Sequence, residues 1–217
     1  MTSRSKAIGL SLVVSVMSAV AAINASATSG GHFILEAANA TITASEHIPD
    51  KLHFKPHPGS DSERVGCGVA TYHGVATSTT VSEIEVTPSY SECSTTDGSG
   101  TPVTIDHNGC KYQFTVSPGG TNGTFAIVCK VGANIVITHP NCTVTVRAQS
   151  NLQGVHYTTL TEPNTKHVLT VDVNVTPSSE YHGGICVFLG TNHAHTLIGS
   201  IILRADVNGQ RIHLTTT

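Results

Sequence analysis

Tryptophan is absent from the 217 residues, aromatic side chains make up only 5% and charged ones only 12%. Sugar-binding faces usually rest on exposed aromatic rings, so a carbohydrate surface would have to draw on Tyr90, Tyr157 and Tyr181. The competing reading of these three is ordinary tyrosine at the edge of a core with its hydroxyl in water. No C-x-x-C pair occurs, which removes zinc-ribbon spacing. The chain has no G-x-S-x-G elbow, and no S-x-x-K motif follows the first 27 residues, so the common signatures of an activated serine are missing. Beyond residue 22 no stretch is apolar enough to form a spanning helix. No ten-residue window after that point carries a 3.6-residue apolar stripe, so the body is not expected to be helical.

What is present begins with a short basic segment, Arg4 and Lys6, then an apolar run from Ala7 to Ala22 and a small-residue ending, Ala25-Ser26-Ala27. This order predicts a secretory signal peptide over residues 1–27, cleaved after Ala27. Its apolar run is interrupted by Ser11, Ser15 and Ser18 and falls short of the ~20 residues that a membrane-spanning helix needs. The full chain carries 11 basic and 14 acidic residues; removing Arg4 and Lys6 leaves 9 against 14, a net charge of −5. Nucleic acid and anionic membranes are therefore not expected as partners. A secreted, extracellular location is expected, with any partner a protein or glycan surface.

All six cysteines, Cys67, Cys93, Cys110, Cys129, Cys142 and Cys186, follow the leader. An even count in an exported chain predicts three disulfides. Locality suggests Cys93–Cys110 and Cys129–Cys142, each bracketing a turn-bearing segment whose closure costs little entropy. Elimination leaves Cys67–Cys186. If those two segments pair antiparallel with the cysteines opposite, Tyr72 would also face Tyr181, a cross-strand aromatic pair.

Threonine, serine, valine and glycine are abundant, and β-branched residues suit a pleated sheet better than a helix. Period-2 alternation recurs: Leu169, Val171, Val173 and Val175 alternate with Thr170, Asp172 and Asn174, and the same pattern marks Ile84/Val86, Tyr112/Phe114/Val116 and Val144/Val146. One face of each strand is core and the other solvent. Turn signals fall at Asp97-Gly98-Ser99-Gly100, Pro118-Gly119-Gly120, Asn122-Gly123, Asn108-Gly109 and Asn208-Gly209; the last two predict hairpins, because both residues of Asn-Gly tolerate positive φ. The expected fold is an all-β, antiparallel β-sandwich stabilised by disulfides, in one domain over 28–217: an N-terminal hairpin over 32–48, a proline-containing loop over 49–63 and a cysteine-containing body over 64–217. The echo between Val86-Thr87-Pro88-Ser89 and Val175-Thr176-Pro177-Ser178 reads as shared turn chemistry rather than a repeat.

The order of features Gly31-His32-Phe33, Cys67 before Tyr72 and Gly74, Thr87-Pro88-Ser89-Tyr90 before Cys93, Asn108-Gly109-Cys110 before Tyr112 and Phe114, then Cys129, Cys142, Gln149, Tyr157 and Cys186 resembles a group of uncharacterised secreted proteins encoded in actinobacterial genomes. The likeness spans nearly the whole chain after the leader. It implies export and a disulfide-bearing β fold, and it assigns no catalytic residue.

Among 13 histidines the sharpest pattern is His193-Ala194-His195. Residues two apart on a strand share a face, so both imidazoles can approach one divalent metal ion; a third ligand would have to come from Asp206, His182 or His73. The alternative is a pair of solvated histidines in a turn between Gly190 and Gly199. Asn-x-Ser/Thr triplets begin at Asn39, Asn122, Asn141 and Asn174, which threonine abundance alone explains. The leading functional expectation is a non-enzymatic extracellular or cell-envelope domain with a structural or adhesive role and no cofactor. The alternative is a small-ligand or metal-binding module centred on His193 and His195, and an enzyme of unrecognised type is a third.

Overall fold

The computed structural model describes residues 30–47, 53–55, 65–96, 99–140, 142–163, 166–183 and 196–217. These residues contain seventeen strands and no helix. Eight long strands make the body: β2 (Ala40–Glu46), β4 (Val65–Ala76), β6 (Glu83–Thr95), β8 (Lys111–Val116), β9 (Asn122–Val128), β12 (Gln149–Thr161), β13 (His167–Val175) and β15 (Thr196–Val207). Each pairs antiparallel with the next of the eight along the chain, and β15 returns to pair with β2, Ile201 opposite Glu46 through Asp206 opposite Thr41. The result is a closed up-and-down barrel rather than the expected sandwich. Period-2 alternation is common to both folds; closure is the added fact, and it removes the open sheet edges that a sandwich keeps.

A meander sends successive connections to alternate ends of a barrel. One end, called the mouth here, receives the connections from β2 to β4, β6 to β8, β9 to β12 and β13 to β15. From these arise β3 (His53–Lys55), β7 (Thr104–Asp106), β10 (Ile135–His139), β11 (Cys142–Val146) and β14 (Ser179–His182). Strands β14, β11, β10 and β7 pair in that order into a four-stranded cap sheet, while β3 pairs with β15 and β4. At the opposite end β1 (Phe33–Leu35) lies between β5 (Thr80–Val81) and β17 (Leu214–Thr216), and β16 (Gln210–Ile212) folds back on β15. Phe33, Leu35 and Leu214 are buried there, with the Phe33 ring edge-on to Tyr157 at 5.5 Å.

The alternating sets behave as read from the sequence. Leu169, Val171, Val173 and Val175, Ile84 and Val86, Tyr112, Phe114 and Val116, and Val144 and Val146 are all buried. Asn208-Gly209 closes a two-residue hairpin between β15 and β16 with φ of 51° and 75°, the mirror-image turn that Asn-Gly favours. Asn108-Gly109 adopts the same kind of turn, φ 47° and 75°, but it is not a hairpin: β7 before it belongs to the cap and β8 after it to the barrel. Asn122-Gly123 opens strand β9 instead of turning, the β8–β9 reversal being made at Ser117 to Thr121. The expected N-terminal hairpin over 32–48 does not form, because β1 pairs with β17 and β5 and β2 with β4 and β15.

The disulfide pairing also differs from expectation. The bridges are Cys67–Cys93 and Cys110–Cys129; Cys142 is disulfide-bonded as well, and Cys186 lies outside the described residues. Cys110 and Cys129 continue the β8–β9 ladder one step beyond Lys111 and Val128, so they oppose each other directly. Cys67 opposes Cys93 on β4–β6, at a local irregularity where Gly68 and Glu92 drop out of the register and Glu92 takes φ 56°. Skipping one residue on both strands reverses which parity faces inward: Val65 is buried before the break, and Ala70 and Tyr72 after it, while Val69 is exposed. Nearness in sequence misled the pairing; opposition across a ladder decides it. Tyr72 faces Ala44 and Pro88, and Tyr181 faces Val144 in the cap, so the Tyr72–Tyr181 pair does not exist.

Strand β12 bends through two register shifts against β9, and Gly154 sits at the second with φ 110°. A Cβ there would collide with the Asn174 carbonyl oxygen. Gly154→Ala therefore combines a left-handed backbone with a backbone clash and is expected to cost about 2 kcal/mol or more. Urea unfolding of the two proteins measures it, and an unchanged midpoint would contradict the bend.

Candidate functional site

The described residues leave a cavity of about 40 Å³ where the barrel mouth meets the cap. The barrel contributes Glu46 at the end of β2, Val65 and Cys67 at the start of β4, Tyr90, Tyr112, Ile127 and Leu197; the cap contributes Ile105, Ile135, Ile137 and Val146. Alternation explains the meeting: the inward parity of each barrel strand ends at the mouth, and the apolar parity of β10 and β11 points down onto it. Both described bridges lie at this rim, Cys110–Cys129 joining the roots of β8 and β9 where the chain leaves for β7 and β10. Asn108 Nδ2 donates to the Asn134 carbonyl at 2.9 Å and ties the same two connections.

Tyr90 and Tyr112 line this space, and Tyr72 packs against both of them. The Tyr72 ring meets Tyr90 edge-on at 6.1 Å and Tyr112 at 6.2 Å, and Tyr112 continues through Phe125 at 4.9 Å to Phe114 at 5.4 Å. The Tyr90 hydroxyl donates to that of Tyr112 at 2.7 Å. Burial pushes the Tyr112 hydroxyl up to about 12 and those of Tyr72 and Tyr90 well above the ordinary tyrosine value, because a phenolate among apolar walls loses its hydration. The nearby Tyr112 and Glu46 add to the effect on Tyr72. Lower in the barrel, Tyr157 donates to the Thr115 carbonyl at 2.8 Å, and burial raises it too. Tyr90 and Tyr157 are thus interior residues, not rings offered to a sugar, and Tyr181 lies on β14, paired with Val144 of β11.

The remaining polar chemistry is arranged otherwise. His156, Asp172 and Ser200 line up across β12, β13 and β15, the residue types of a hydrolytic triad. The order is wrong for one: Ser200 donates its hydroxyl to Asp172, and His156 Nδ1 lies 3.2 Å from Asn122. A nucleophile needs the imidazole between hydroxyl and carboxylate to take its proton. Near the other end of the barrel, Glu162 holds Arg204 at 2.8 Å and Arg211 at 3.0 Å, Arg211 holds Asp206 at 2.9 Å, and Lys166 holds Glu36 at 2.7 Å. Lys166 and the His213 backbone N–H hold the Glu36 carboxyl below its ordinary value. These pairs stitch the β12–β13 connection to β15, β16 and the segment after β1, with each guanidinium already matched to a carboxylate.

His193 and His195 lie outside the described residues. Of the third ligands suggested for them, Asp206 is bonded to Arg211 toward the far end of β15, His73 is on the outer face of β4 and exposed, and His182 ends β14 in the cap at the mouth. Asp206 and His182 therefore occupy opposite ends of the barrel and do not serve one ion together. Among the described residues no group of three or more His, Cys, Asp or Glu side chains is placed to hold a metal, and no helix is long and apolar enough to cross a membrane. The tyrosine cluster escaped the sequence reading because Tyr72, Tyr90 and Tyr112 come from three strands, and only the inward parity that they share hinted at it. Compared with known protein families, characterised proteins and solved structures, the chain matches none.

Proposed function

We propose that this chain is an exported, non-enzymatic β-barrel with a structural or adhesive role outside the cell. The observation that carries the reading is the barrel's closure: its eight strands are each paired on both sides, and Ile42, Tyr72, Ile84, Phe114, Leu169 and Leu203 are buried in its core. Contact with a partner then falls to the outer surface. Around β4 that surface is rich in hydroxyls, with Thr41 and Thr43 on β2, Thr71 on β4 and Thr87 on β6 beside the exposed Val69 and Val75, and its charges are those of Glu92 next to Gly68 and of the Glu85–Lys111 pair next to Val75. Disulfides suit an oxidising compartment, and the leader supports export.

The test is co-sedimentation of the leader-free protein with cell envelopes of the organism that encodes it, beside a Val69→Glu, Val75→Glu variant. Saturable sedimentation of the native protein, weakened about tenfold or more in the variant, is the expected result. Absence of sedimentation, or turnover of any substrate in a hydrolase panel, would overturn the reading.

A further inference from the structure

His213 ties together the end of the barrel opposite the mouth. It stands between β16 and β17, and its imidazole Nδ1 accepts the backbone N–H of His167 at 3.1 Å, where β13 begins. The two half-buried rings lie against each other, centroids 4.7 Å apart, and His167 Nδ1 is 3.2 Å from Thr161 Oγ1 at the end of β12. The main chain of His213 reaches the other way: its N–H donates to Glu36 Oε2 at 3.1 Å, and its carbonyl accepts the Glu36 N–H at 3.2 Å. One residue thus joins the start of β13 to the β1–β17 pair, whose Phe33, Leu35 and Leu214 are buried at this end of the core.

An imidazole accepts at Nδ1 only while that nitrogen is unprotonated. The His167 N–H therefore fixes His213 as the neutral tautomer with its proton on Nε2. An imidazolium there loses this bond and sets its charge against the second ring. Among the described residues, the charged groups around the pair are Lys166, which holds Glu36 at 2.7 Å, and Arg204, Arg211, Glu162 and Asp206, which are matched with one another. His32, at the other end of β1 beside Thr217, carries a further imidazole next to this small sheet. Glu36 favours a cation at His213, but its carboxylate is already shared by Lys166 and the His213 N–H. Those two bonds hold the Glu36 carboxyl below its ordinary value, so they persist while histidine changes charge between about pH 5 and 8. We propose that His213 is an acid-released latch: neutral, its ring holds the start of β13 to β17, and protonated, it frees the β1–β17 end while the barrel wall stays paired. The latch goes beyond the structural or adhesive reading, and the outer face of β4 takes no part in it.

Amide hydrogen exchange of the oxidised protein, followed by NMR at about pH 7.5 and about pH 5 and corrected for the intrinsic pH dependence of exchange, reads the latch residue by residue. Protection at His167, Phe33–Leu35 and Leu214–Thr216 is expected to fall about tenfold or more in acid, the scale of one lost hydrogen bond, while β4, β6 and β8 keep theirs. His213→Asn places a side-chain oxygen that does not titrate near the position of Nδ1, and there the fall should shrink to about twofold or less. Equal protection at both pH values, or loss spread evenly over the barrel, would overturn the proposal. So would a fall of undiminished size in His213→Asn, which would assign the effect to His32 or His167. Imidazole ¹⁵N shifts need no variant: a proton on His213 Nδ1 at about pH 7.5 overturns the latch even where His213→Asn fails to fold.

Discussion

On raising the pH from about 8 to about 13, phenolate absorbance is expected to stay nearly flat past the ordinary tyrosine midpoint near 10 and then to rise steeply as the barrel unfolds. Four of the five tyrosines, Tyr72, Tyr90, Tyr112 and Tyr157, have their hydroxyls pushed up by burial. Above the unfolded value of about 10, the unfolded chain releases protons that the native barrel keeps. Stability is therefore full below that pH and falls as pH rises toward the native values. For Tyr112, held at about 12, the loss across that window reaches about 3 kcal/mol. The summed effect is of the order of the whole margin of a folded domain. Tyr112→Phe and Tyr157→Phe should each make the decline shallower. Stopped-flow absorbance beside circular dichroism checks the sequence of events; a gradual titration centred near 10 with the sheet signal unchanged would show that the hydroxyls are not buried as described.

Reduction is expected to have an effect of similar size. The two described bridges close sequence separations of 26 and 19 residues, each worth about 3 kcal/mol through the unfolded state. Losing both approaches the stability of a typical domain, so the fully reduced protein should lose its cooperative thermal transition near room temperature or melt tens of degrees lower. The cap should respond first to loss of Cys110–Cys129, since that bridge fastens the roots of β8 and β9 where the chain departs for β7 and β10. In a Cys110→Ala, Cys129→Ala variant, hydrogen exchange should accelerate at Ile135 to His139 before the barrel strands. Peptide mapping without reduction should recover Cys67–Cys93 and Cys110–Cys129; recovery of Cys93–Cys110 would refute the register of β4, β6 and β8.

The bridges show where local reasoning went astray. Cys93 and Cys110 are separated by a turn-rich stretch, which made them look like neighbours. In the fold that stretch is β7, a cap strand, so the two cysteines head adjacent barrel strands without being partners. Cys110 and Cys129 instead flank the hairpin whose reversal is made by Ser117 to Thr121. The turn signal at Pro118-Gly119-Gly120, joined to the alternation of Tyr112, Phe114 and Val116, already contained that register. Cys67–Cys93 was less accessible, because the parity break at Gly68 and Glu92 depends on a residue with φ 56° that is not glycine.

The sequence by itself determined the strand-forming composition, the buried parity of the alternating runs, the reversal at Asn208-Gly209 and the chemistry of paired cysteines. Each of these is local: β-branching, a period of two and the tolerance of Asn-Gly for positive φ act over a few residues. Tertiary structure alone decided that β15 returns to β2, that β7, β10, β11 and β14 fold together over the mouth, and that Tyr72, Tyr90 and Tyr112 converge. Alternation says that a strand has an inner face but not what it faces, and it is identical in a sandwich and a barrel. The choice rests on backbone hydrogen bonds between Thr41–Glu46 and Ile201–Asp206, strands at opposite ends of the described chain, and no pattern within either segment announces the other.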